Sequence, residues 1–257
     1  MRTISLFLLI MSMLSCSCFR RFPDPGGQDA RDMMTQTVKV SVMVAGVELT
    51  KNENGDVVGE EKVISWMGSG VILEVDSKKG KGESLVMTAG HVSNVPPMIA
   101  KKDDEGNLQS LFLVQASMTV IETLDGKTCL AEAVYYDGPH DLGVIQVFCV
   151  AGRVAELADG LPPIGSAISV SGAGLGYHPA GLFLVEDGRY LGLADGRDPD
   201  VVMSVPVVGG HSGSGVFHHG KVIGIVTKVF TRFEHGSFAT GVDHVRRALE
   251  AARENRI

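Results

Sequence analysis

Long apolar stretches, basic charge and metal-ligand motifs are all scarce in this chain of 257 residues. Only the N-terminus carries an extended apolar run, which excludes a polytopic membrane protein. Lys and Arg number 23 against 30 Asp and Glu, a formal net charge of −7. Such a surface repels a phosphate backbone, so no nucleic acid partner is expected. No Cys-x-x-Cys and no His-Glu-x-x-His occurs. Of the 8 His, only His218 and His219 are adjacent, and a strand would point them to opposite faces. Neither a metal nor a cofactor is therefore expected. Proline is sparse, with 10 residues against 32 Gly, and glycine-rich turns between short strands suit all-β architecture better than a helical bundle. At 44% hydrophobic and 21% charged, the composition is that of a globular chain, neither disordered nor a coiled coil. The length suits one or two domains whose core needs no obligatory staple.

Residues 1–18 read MRTISLFLLIMSMLSCSC. Arg2 supplies a short positive region, and an apolar stretch too short for a comfortable membrane span follows. The segment is expected to be a secretory signal peptide. Its end, Met13-Leu14-Ser15-Cys16, looks like a bacterial lipoprotein processing site with Cys16 as the residue to be lipidated. Cleavage after Ser15 or Ser17, and a short retained anchor, stand as alternatives. An exported protein, periplasmic or extracellular, is expected, with membrane attachment through the N-terminus left open. Residues 19–35 are charged, carry Pro23, Pro25 and Gly26-Gly27, and show no period; they read as a linker. Outside the leader only Cys129 and Cys149 remain. They flank a hairpin-like segment with Pro139 at its midpoint, so symmetric pairing would set them face to face. A disulfide that persists in an oxidising compartment and two buried free thiols are both open.

From residue 38 onward the pattern has period two or short apolar runs, the signature of strands. Runs are expected at residues 38–49, 62–67, 70–75, 84–88, 111–123, 128–136, 142–150, 167–171, 182–186, 189–193, 201–205, 215–217, 221–227 and 237–240. Asn54-Gly55, Asp125-Gly126, Asp187-Gly188 and His219-Gly220 punctuate them as turn pairs. Only residues 242–255 look helical, with Val242, Val245, Leu249 and Ala252 on one face. A break near residues 151–163 divides the body into lobes of about 36–150 and 164–241, so two β-barrel lobes are expected.

Three short motifs carry chemistry. Met87-Thr88-Ala89-Gly90-His91 ends an apolar strand in small residues and delivers an imidazole. His140-Asp141-Leu142 puts a carboxylate at the mouth of a buried strand. Gly209-Gly210-His211-Ser212-Gly213-Ser214-Gly215 puts a serine on a glycine-flanked turn. Singly each is weak; together, in the order His, Asp, Ser, they match one of the convergent triads. An α/β-hydrolase elbow is rejected. Ser214 stands where that fold has Gly, and the one Asp-then-His order after the serine is Asp243-His244, inside the terminal helix.

TAGHV, HDLGVIQV and GHSGSGVF resemble the signature blocks of trypsin-like serine proteases, nearest to the bacterial glutamyl-endopeptidase and Deg-type branch. The resemblance implies an all-β fold of two six-stranded antiparallel barrels of the chymotrypsin type with a C-terminal helix, over a domain of residues 36–257. It implies a serine endopeptidase acting on polypeptides, with His91, Asp141 and Ser212 catalytic and the N–H groups of Gly210 and Ser212 as oxyanion donors. His211 stands where trypsin has an Asp that pairs with a newly cut N-terminus, so that activation is not expected. Val207 and Val226 fill positions where glutamyl endopeptidases bind an acidic side chain. Pro206, Val207 and Val226 instead imply an aliphatic pocket, and Thr227 and Lys228 a strand edge for extended substrate. The alternative is a catalytically idle protease-fold domain that binds peptides or partners.

Overall fold

The computed structural model describes residues 30–76, 82–176, 183–194, 200–229 and 236–255. Cys16 and the leader expected at residues 1–18 lie outside the described residues. Seven strands form the first sheet: β1 (Thr37–Lys51), β2 (Val57–Asp76), β3 (Glu83–Ala89), β4 (Met98–Lys102), β5 (Leu108–Glu122), β6 (Thr128–Asp137) and β7 (Leu142–Val147). Their order is β1-β2-β3-β7-β6-β5-β4, and β1 also pairs with β5. Six strands thus close into an antiparallel barrel, with β4 added outside the closure. The second sheet holds β8 (Glu156–Leu157), β9 (Ala167–Gly172), β10 (Leu184–Leu193), β11 (Val201–Met203), β12 (Gly215–His218), β13 (Lys221–Val229) and β14 (Ser237–Gly241). It runs β12-β9-β10-β11-β14-β13-β8, and a β12–β13 pairing closes a second six-stranded barrel. This is the chymotrypsin-like architecture. Among the described residues three α-helices complete it: α1 (Ala30–Thr35), the single turn α2 (Gly90–Ser93), and the C-terminal α3 (Val242–Glu254). No helix among the described residues is long and apolar enough to cross a membrane.

Period-two patterning explains the barrels. Val38, Val40, Val42 and Val44 of β1 point inward and join Ile72, Val86, Ile121 and Ile145 in the first core. Ile168, Val170, Met203, Val216 and Ile223 fill the second. A third core lies between the barrels: Leu85, Met87, Leu142 and Val144 from the first meet Phe217, Val222 and Ile225 from the second. Val245, Ala248, Leu249 and Ala252 of α3 cap it, so the helix face read from the sequence is the buried one. Met33 enters the same core from α1, so residues 30–35 are a helix rather than a linker.

Two turn expectations separate. His219-Gly220 forms a two-residue hairpin with φ of 46° and 80°, as paired positive dihedrals require. Asp187-Gly188 does not turn; both residues pair with β9 inside one continuous β10, Asp187 opposite Ser169 and Gly188 opposite Ile168. A Cβ at Gly188 would sit 2.7 Å from the Ser204 carbonyl oxygen, so this glycine serves close strand packing. The runs at 62–67 and 70–75 likewise fuse into β2. Cys129 and Cys149 are disulfide-bonded, with Cα atoms 6.2 Å apart. The Ala131–Val147 pairing sets the register that brings them together, and a bulge between Ala133 and Tyr135 shifts it only nearer the loop.

Candidate active site

β3 ends in Thr88-Ala89 and the chain turns at once into α2, which presents His91 at its first turn. Asp141 immediately precedes β7, and β3 and β7 are adjacent, Ala89 opposite Leu142. The imidazole and the carboxylate therefore project from neighbouring strand ends. Nδ1 of His91 lies 2.7 Å from Oδ2 of Asp141, and the His91 backbone N–H donates to Oδ1 at 2.8 Å. Both carboxylate oxygens are thus engaged by one residue. The Asp141 carbonyl accepts from Gly90 N–H at 2.7 Å. Gly90 permits this approach, because a Cβ there would meet Asp141 Oδ1 at 3.0 Å and the Tyr136 ring at 2.6 Å. Asp141 has φ of 53°, a left-handed conformation that its short polar side chain tolerates. The His91 side chain stays 50% exposed, while that of Asp141 is 22% exposed. The imidazole is open to solvent and the carboxylate that holds it is largely covered.

The serine turn is built by saturating its carbonyls. Val208 O accepts from His211 N–H (3.0 Å), Gly209 O from Leu175 N–H (2.6 Å) and His211 O from Ser214 N–H (2.9 Å). Gly210 O accepts from the Ser69 hydroxyl at 2.7 Å, and Ser212 O from Ser69 N–H at 2.7 Å. The N–H groups of Gly210 and Ser212 donate to no acceptor among the described residues. Because a trans peptide puts C=O and N–H on opposite edges, tied carbonyls leave these two donors turned away from the protein. Gly210 reaches this arrangement at φ of 96°. The Ser212 hydroxyl makes no hydrogen bond among the described residues; the His91–Asp141 pair is formed and the serine–imidazole bond is not. Ser212 O and Val92, the neighbour of His91, flank Gly68 from two sides, both under 3 Å from where its Cβ would lie.

His211 is 1% exposed and its Nδ1 accepts from Val208 N–H at 3.1 Å. Burial alone pushes its pKa down from 6.5 to about 4, so the ring is neutral and closes the turn as an acceptor. Trypsin-type pairing with a free N-terminus has no counterpart in this contact.

The trypsin-like peptidase domain family matches residues 68–225, more than half of the chain. The chain belongs to the trypsin-like serine proteases. Solved structures agree on the fold. A serine endoprotease from Yersinia pestis is 19% identical with a TM-score of 0.57, over 86% of this chain and 64% of that one. Rv3671c from M. tuberculosis H37Rv, in an inactive form, is 16% identical with a TM-score of 0.58, over 90% and 91%. The HtrA-type protease AlgW with a decapeptide is 16% identical with a TM-score of 0.61, over 84% and 62%. The chain spans under two thirds of the length of the first and third of these. No curated protein matches the chain.

Within this trypsin-like domain, the residues expected along the substrate cleft take different places. Pro206 and Val207 are half-buried beside the serine turn. Val226 is buried and packs into the second barrel's core, while its backbone donates to Ser214 O (2.9 Å) and accepts from Gly213 N–H (2.8 Å). Thr227 is buried on a bulge of β13, and Lys228 is exposed in an ion pair with Asp200 at 2.8 Å. Among the described residues no cluster of His, Cys, Asp or Glu is arranged to hold a metal ion. Sequence reasoning passed over Ser69. The available signal was Gly68-Ser69-Gly70: glycines inside a strand mark a close backbone approach as readily as a break.

Proposed function

We propose that the protein is a serine endopeptidase that cuts extended polypeptides through an acyl-enzyme intermediate. The observation that carries this reading is the two-point hold of Asp141 on His91. A Nδ1–H given to the carboxylate leaves Nε2 as the bare acceptor, the tautomer a general base needs. The Ser212 hydroxyl rotates toward Nε2, loses its proton to it and bonds to the substrate's carbonyl carbon. Negative charge then appears on the carbonyl oxygen, where Gly210 and Ser212 N–H meet it; one such donor is worth about 3–4 kcal/mol. The imidazolium, stabilised by Asp141, gives its proton to the leaving amine, and water repeats the sequence to free the serine.

Extended substrate pairs with the Thr227–Lys228 edge, and Pro206, Val207 and Val226 favour a small or aliphatic residue before the cut bond. The protein acts after export. Residues 1–18 are the leader, and Cys16 offers lipid attachment if processing occurs there. The Cys129–Cys149 disulfide supports an oxidising compartment.

A fluorophosphonate probe tests the reading directly: wild type should label, and Ser212→Ala and His91→Ala should not. Folded wild-type protein that never labels, and never degrades casein, would overturn it in favour of an idle binding module. A peptide-library profile dominated by Glu before the cut would overturn the aliphatic preference.

A further inference from the structure

We propose that Ser69 is a positioning residue that sets the oxyanion donors from across the barrel interface; the inference rests on the protease reading above. Ser69 lies in β2 of the first barrel and is fully buried. Its N–H donates to Ser212 O at 2.7 Å, and its hydroxyl donates to Gly210 O at 2.7 Å while accepting from Ala173 N–H at 2.8 Å. Its own carbonyl accepts from the Thr88 hydroxyl at 2.6 Å. Every polar atom of the residue is engaged, and three of the four bonds reach the second barrel.

The chemistry of the hydroxyl fixes its direction. Ala173 N–H occupies an acceptor site on Oγ, so the single hydroxyl proton is free for the Gly210 carbonyl. Ser69 thereby fixes the peptides 210–211 and 212–213. The N–H groups proposed to meet the oxyanion belong to peptides 209–210 and 211–212, interleaved with those two. Without the hydroxyl, the 210–211 peptide keeps only its His211 N–H bond to Val208 O (3.0 Å), and its carbonyl end, on a glycine with φ of 96°, loses its partner. Losing the hydroxyl also strands Ala173 N–H in a buried site. Three glycines keep space open for this contact. A Cβ on Gly68 would lie 2.7 Å from Ser212 O, one on Gly172 would lie 2.8 Å from Ser69 Oγ, and one on Gly213 would run into Ser69 O. Of these, the Gly172 approach is the one made to the serine hydroxyl itself.

The test compares wild type, Ser69→Ala, Ser69→Cys and Thr37→Ala for the rate and saturation of fluorophosphonate labelling, with thermal midpoints measured alongside. Thr37 is an equally buried hydroxyl, bonded to Ser171 Oγ at 3.0 Å and Met33 O at 2.9 Å, with no hydrogen bond to the carbonyls of Gly210 or Ser212. Ser69→Ala should lower the maximal labelling rate by about 10- to 100-fold, toward the loss expected for a missing oxyanion donor, with the probe's half-saturating concentration little changed. Ser69→Cys, which keeps a weak donor of similar shape, should fall between Ser69→Ala and wild type. Thr37→Ala should label at the wild-type rate while folded, whatever stability it loses. A Ser69→Ala protein that labels like wild type would overturn the role, as would a parallel fall in Thr37→Ala. If Ser69→Ala does not fold, a folded Ser69→Cys at the wild-type rate overturns it equally. Unlabelled wild type would instead overturn the protease reading and this role with it.

Discussion

Acid should destabilise this protein through one buried ring. His211 is neutral in the folded state because burial pushes its pKa from 6.5 to about 4. In the unfolded chain the same imidazole takes up its proton near its ordinary value. Above that value both states are neutral and the full stability is present. As the pH falls toward 4 the unfolded state binds the proton first, and stability drains at up to about 1.4 kcal/mol per pH unit. The whole shift corresponds to about 3 kcal/mol, a large share of a typical domain's net stability. Protonation would also set an Nδ1–H against Val208 N–H, replacing an accepted hydrogen bond by two opposed donors. His211→Asn isolates the effect, since its amide oxygen can take the Val208 N–H yet does not titrate. Urea unfolding of both proteins, disulfide intact, from about pH 7.5 down to about 4 gives two stability curves. Their difference should change by about 3 kcal/mol in favour of His211→Asn as the pH falls. Curves that run parallel across that window would refute the buried neutral ring.

Three further outcomes follow from named contacts. Asp141→Asn should keep the fold but lower kcat on casein by about 10,000-fold, because an amide no longer holds His91 in the tautomer that leaves Nε2 bare; a loss of less than tenfold would contradict the clamp. Replacing Cys129 and Cys149 together by Ser should cost about 3 kcal/mol of unfolding free energy, given their separation of 20 residues, read by urea titration under oxidising conditions. Gly213→Ala should cost several kcal/mol or abolish folding, because Gly213 combines φ of 90° with a Cβ direction blocked by the Ser69 carbonyl; a thermal midpoint equal to wild type would show that the turn relaxes freely.

The pairing of His91 with Asp141 was legible because each motif couples a polar side chain to a strand end, and that coupling is local. Asp141 and His91 lie 50 positions apart, yet adjacent strands β3 and β7 bring them together at the ends the motifs mark. The helix face of α3 was equally plain, since Val245, Leu249 and Ala252 recur at helical spacing. What stayed hidden was decided by partners remote in sequence. Asp187-Gly188 carries the composition of a turn, but the neighbouring β9 and the Ser204 carbonyl hold it straight. Gly68-Ser69-Gly70 reads as an interruption because nothing local announces that another barrel presses against it. The exposed β4 (Met98–Lys102) lacks apolar alternation, and pairing with β5 makes it a strand. Helix α1 follows a Pro- and Gly-rich stretch, and only burial of Met33 reveals its anchoring.

The interbarrel core imposes an order on biogenesis. It joins Met33, among the earliest of the described residues, to Ala252 in the final turns of α3. A nascent polypeptide leaving a ribosome or a translocon can close its first barrel long before Ala252 emerges. The seam between the barrels must wait, and with it the alignment of groups that face each other across that seam. On the protease reading, His91 of the first barrel and Ser212 of the second are set against each other only once α3 has emerged to cap the seam.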